Sequence, residues 1–151
     1  METEDLTKSE FAVRLEGRFH GVLAWRQLDE LWSRLRTAPD GWYVSMSGKP
    51  HEAPAQPVSA DEFDRFIEEV DALLRKEHRE DYCGIVYVDA PDRPEFVKIY
   101  DPNHLGSSCG GGGGIEPRWV LSRIPPDPIE AAMPLPGNRL RWWQKLFGAA
   151  S

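Results

Sequence analysis

The stretch SADEFDRFIEEVDALLRKEHREDYCGIVYVDAPDRPEFVKIYD, residues 59–101, decides the fold, because its hydrophobic period changes midway. In the first half Phe63, Phe66, Ile67, Val70, Leu73 and Leu74 recur at intervals of three and four, which places them on one face of a long helix. Ser59, with Glu62 three residues on, forms a capping box at its start. The acids between the apolar positions form the solvated face. Beyond Glu80 the period becomes two. CGIVYVDA (83–90) and EFVKIYD (95–101) read as strands, and the intervening PDRP makes them a hairpin.

Outward from this stretch the same two periods recur. EGRFHGVLAW contains a short strand near 17–23, and WRQLDELWSRLR aligns Trp25, Leu28, Leu31, Trp32 and Leu35 on one helical face. A turn and a strand follow at 42–46, then the proline-bearing loop 47–58. Past the hairpin, RWVLSRI (118–124) is a further strand. The order strand, helix, strand, helix, then three strands predicts an α+β fold. It would be two-layered, with a mixed, mostly antiparallel sheet of about five strands and two main helices on one face. A single domain is expected over 1–125, with the Gly-rich loop 106–114 inside it. A Pro-rich linker (126–138) and a short amphipathic helix (139–148) would close the chain.

Composition bounds the functional classes. The chain has 151 residues, 40% hydrophobic and 28% charged, with only two cysteines. That suits one globular domain without a disulfide framework. The acidic N-terminus lacks an apolar signal core, and no apolar run reaches the roughly 18 residues that a membrane span needs. A cytoplasmic, bacterial setting is the expectation. The net charge of −7 argues against nucleic-acid binding, which requires a basic surface. Residues 1–130 hold 15 Lys and Arg against 25 Asp and Glu, a balance of −10, whereas the remainder carries Arg139, Arg141 and Lys145 and no acid.

Two places concentrate chemistry. The first is KIYDPNHLGSSCGGGGG (98–114). His78 and Cys83 are spaced H-x4-C, as are His104 and Cys109, and the four types together suit tetrahedral zinc. Alternatively, Cys109 could be a nucleophile with His104 as base and Asp101 orienting it. Against both stand the unusual spacing and five adjacent glycines, which oppose the rigid geometry a catalytic pair requires. A phosphate-cradling loop would need Gly-Lys-Ser/Thr and a following helix, and neither follows. No cofactor motif is present. The simpler reading makes Asp101-Pro102-Asn103 a turn opener and the glycines a tether.

The second place is the tail. At 100° per residue Leu140, Trp142, Trp143, Leu146 and Phe147 share one arc, with Arg141, Gln144 and Lys145 opposite. Arg139 falls inside the apolar arc, where its stem could snorkel. Such a helix can fold back onto its own domain, dock into a partner protein, or lie in a membrane interface. The acidic body disfavours an anionic leaflet. The expectation is therefore a non-enzymatic accessory or adaptor protein. It would bind a protein partner through Leu140, Arg141, Trp142, Trp143, Lys145, Leu146 and Phe147, and through the 101–114 loop. The alternative is a small thiol- or metal-dependent enzyme or metal carrier using His78, Cys83, His104 and Cys109.

Overall fold

The computed structural model describes residues 9–48, 53–104, 116–129 and 135–147, the side chain of His104 excepted. Its elements are α1 (Glu10–Leu15), β1 (His20–Val22), α2 (Trp25–Thr37), β2 (Tyr43–Met46), α3 (Ala60–Glu77), β3 (Val86–Val88), β4 (Phe96–Ile99), a 3-10 turn (Pro102–His104), β5 (Trp119–Ser122) and α4 (Gly137–Phe147). The strands form one sheet in the order β1-β3-β4-β5-β2. The α+β expectation holds, and all four pairings are antiparallel.

Strand alternation divides the sheet into two faces. Register aligns Val22, Val86, Ile99, Trp119 and Met46 in one row, and Val88, Val97, Leu121 and Val44 in the next. All nine side chains are buried against Leu28, Leu31, Trp32 and Leu35 of α2 and the six apolar residues of α3's stripe. The capping box at α3 forms as the sequence implies. Ser59 Oγ accepts from the Glu62 amide at 3.1 Å, and Glu62 Oε1 accepts from the Ser59 amide at 3.0 Å. Trp42, fully buried, stacks on Phe63 with ring centroids 5.4 Å apart and donates its indole N–H to the Ala38 carbonyl.

The opposite face carries a smaller core that the periodic patterns do not announce. Phe11 of α1 packs with Phe96, Val120 and Ile129, flanked by Leu15, Phe19 and Ile124. Ser9 caps α1 and donates its hydroxyl to Asp127. The Ile129 carbonyl accepts from Gly48 at 3.0 Å, and Leu135 packs on the main core. Gly48 has φ +87, and a Cβ there would lie 3.2 Å from Leu135 Cβ, so both the turn and the close approach call for glycine. Packing therefore continues past Pro125, where the sequence reading ends the domain, because Ile129, Leu135 and α4 all settle on the sheet and helices. Among the described residues, no helix is long and apolar enough to cross a membrane.

Candidate functional site

Helix α4 lies antiparallel to α3 and seals the end of the main core. Its start meets the end of α3, where Arg139 Nη2 donates to Glu77 Oε1 at 2.7 Å. Its end meets the start of α3, where Arg65 donates to the Lys145 carbonyl at 3.4 Å. Between them Trp142 contacts Trp119 and Phe66, with centroids 5.2 and 6.0 Å apart, and Phe147 tilts against Phe66 and Trp143. Leu146 is buried, and Trp143 and Phe147 pack on the core. Of the three destinations open to the tail, the helix takes the first, its own domain. Leu146 is thus buried in its own domain, while Trp142, Trp143, Phe147 and Leu140 stay half-buried.

The sequence reading places Arg139 on the apolar arc with a snorkelling stem. Instead it is only 3% exposed and grips Asp101, itself 3% exposed, through Nε–Oδ2 at 2.8 Å and Nη2–Oδ1 at 2.9 Å. Arg118, also buried, donates Nε to Asp101 Oδ2 at 3.1 Å, and the Asn103 amide donates to Oδ1 at 2.9 Å. Two guanidinium groups thus converge on one carboxylate at the end of β4, with Glu77 balancing the second charge. Burial alone would raise the Asp101 carboxyl, but the donors from Arg139, Asn103 and Arg118 hold it down to about 2. The hydrogen bond from Arg139 lowers Glu77 in turn. Although burial opposes its charged form, Arg139 is held protonated by Asp101 and Glu77. The hub is a lock. An anion held by two arginines and a turn amide is a poor base, and these contacts tie the end of β4 to β5 and α4.

The Asx-turn reading of Asp101-Pro102-Asn103 holds, with the 3-10 turn following. Asn103 Nδ2 donates to Glu77 Oε1 at 2.8 Å, tying that turn to the end of α3. His78 caps α3, with Nε2 2.9 Å from the Cys83 carbonyl and its ring edge-on to Trp25 and Tyr82. The imidazole thus meets the Cys83 carbonyl oxygen, and the buried thiol is pushed up by desolvation, opposite to what a nucleophile or metal thiolate needs. Cys109 and the His104 side chain lie outside the described residues, so the second H-x4-C pair is not placed. Among the described residues no group of three or more His, Cys, Asp and Glu is arranged to hold a metal ion.

What α4 leaves outward is a groove. Glu69, Ala72, Leu73 and Lys76 of α3 face Asn138, Arg141, Trp142 and Lys145 of α4 across an open cleft of about 490 Å³. Both sets are spaced at i, i+3 or i+4, and i+7, so each forms one wall. Ala72, Leu73 and the Trp142 ring supply its apolar lining. Glu77 and Arg139, which are paired with one another, line it too, and so do Lys76, Arg141 and Lys145 with the acid Glu69. These three cations are exposed, and none of them forms an ion pair among the described residues. Arg141 and Lys145 are anticipated from the sequence, whereas Lys76 and Ala72 are not. Only the antiparallel docking of two helices distant in sequence brings them together. No protein family matches the chain, and no curated protein or solved structure matches it.

Proposed function

We propose that this protein is a non-enzymatic binding module that receives a partner protein in the groove between α3 and α4. One observation carries the reading: three exposed cations, without an ion pair among the described residues, line an open cleft with an apolar floor on a protein whose net charge is −7. By contrast, Arg75 on the other side of α3 is offset by Asp29 and Asp71. Here the imbalance sits beside a half-buried tryptophan, the kind of amphipathic anchor enriched at protein interfaces. The reading keeps Arg141, Lys145 and Trp142 from the residues anticipated in the tail and reassigns the rest to docking α4.

Site-directed photo-cross-linking tests it. A photoreactive residue at Ala72, exposed in the groove, is expected to capture a discrete partner in cells. The same residue at Val13, 56% exposed on α1, is expected to capture none in common. Charge reversal at Lys76, Arg141 and Lys145 should abolish the Ala72 product while leaving the melting temperature unchanged. Identical products from both positions, or a product indifferent to the reversal, would refute the reading.

A further inference from the structure

Resting on that reading of the groove, we infer that the segment it receives is acidic and amphipathic, presenting a carboxylate and an apolar side chain about one helical turn apart. The walls dictate this spacing. At one end of the groove Lys76 faces Asn138 and Arg141, two cations without an ion pair among the described residues, while Glu77 beside them is already held by Arg139 and Asn103. At the other end Lys145 faces Glu69, a level of no net charge. Antiparallel docking fixes these levels, because Arg139 meets Glu77 at one end and Arg65 meets Lys145 at the other. Charge preference therefore resides at the Lys76–Arg141 end.

The apolar floor adjoins that end directly. Leu73 and Ala72 precede Lys76 by three and four residues, which is ~4.5–6 Å along α3 at 1.5 Å per residue. Trp142 adjoins Arg141 on the other wall. A partner side chain on this floor thus sits one helical turn from a carboxylate at Lys76 and Arg141. Positions i and i+3 or i+4 of a helix supply that separation, whereas alternate residues of a strand stand ~6.6 Å apart and overshoot it. Two facing walls some seven residues long accommodate about two turns of such a helix, the helix-in-groove mode of recognition. A lipid surface suits the groove poorly, since the cations line a concave cleft on an acidic body.

The test uses the full-length protein and fluorescein-labelled helical peptides read by fluorescence anisotropy. One peptide repeats Asp and Leu at i, i+3. A second replaces Asp by Asn, a third replaces Leu by Ser, and phosphatidylserine vesicles form a separate arm. The Asp/Leu peptide is expected to bind. Affinity should fall at least tenfold with either substituted peptide, with the K76E/R141E variant, and between about 50 and 300 mM salt, because exposed charges are screened. Both side chains are exposed, so the variant should keep its wild-type circular dichroism and melting temperature. Equal binding of the Asn peptide, binding of vesicles in place of peptides, or no peptide binding overturns the inference. If the cross-link at Ala72 nevertheless persists, the groove is the binding surface and only the acidic chemistry is wrong. If that product is missing too, the proposed function falls with it.

Discussion

Replacing Arg139 by Met isolates what holds α4 in place. Methionine retains much of the stem's volume and removes the guanidinium, so Asp101 stays buried and loses two donors while keeping Arg118 and the Asn103 amide. Removing one partner of a buried ion pair typically costs ~3–5 kcal/mol, because an undercompensated charge is left in a poor solvent. Against a total stability of ~5–15 kcal/mol that is a large share. At ~2–4 °C per kcal/mol for a chain of this size it lowers the melting temperature by roughly 6–20 °C. Urea denaturation should show this loss together with exchange of the α4 amides near the rate of free peptide. Asp101→Asn is expected to cost a similar amount, but the double variant should cost at least ~1 kcal/mol less than the sum, because the two groups contact one another. Glu77→Gln is the control. Its carboxylate is 26% exposed, and its loss should be under ~1 kcal/mol. The reasoning is refuted if Arg139→Met costs less than ~1 kcal/mol, or if the Asp101 and Arg139 effects add within ~0.5 kcal/mol.

Three more outcomes follow from the same packing. The Asp101 carboxyl is held near 2 against its ordinary 3.8, so its stabilisation is full above about pH 5 and is lost as pH falls toward 2. The difference in stability between wild type and Asp101→Asn should therefore shrink by ~2 kcal/mol across that window, and a flat difference would sink the assignment. In a Cys109→Ser background, Cys83 should react with a thiol reagent only as fast as the protein unfolds, since the thiol is buried and raised; rapid native-state labelling at neutral pH would contradict it. Phe63→Ala removes the ring stacked on Trp42 and should cost ~3–5 kcal/mol in urea denaturation, with a loss under ~1 kcal/mol showing that the pair does not anchor α3.

Local regularity was legible in the sequence; the meeting of distant parts was not. The stripe of α3, its capping box and the β3–β4 hairpin repeat a period over many residues, and each sits where the pattern puts it. By contrast, α1 has six residues and one buried side chain, Phe11, which is too little to establish a period. The clue to the Asp101 hub was an arginine inside the apolar arc of α4. A guanidinium there must either reach water or find an acid, and its acid lies 38 residues upstream, beyond any local rule. The groove was half legible. Arg141 and Lys145 stand out by composition, but Lys76 joins them only once α4 is laid against α3.

The sheet order also sets a schedule for the emerging chain. β3, β4 and β5 follow one another both in sequence and in the sheet, whereas β2, at residues 43–46, must wait for β5 at 119–122 before it is paired. Arg139, which neutralises Asp101 and Glu77, is made later still. A ribosome-bound chain that has exposed everything up to β5 therefore holds all five strands of the sheet before Arg139 can reach Asp101 and Glu77. Docking of α4 (Gly137–Phe147) is expected to be the step at which the body becomes resistant to proteolysis.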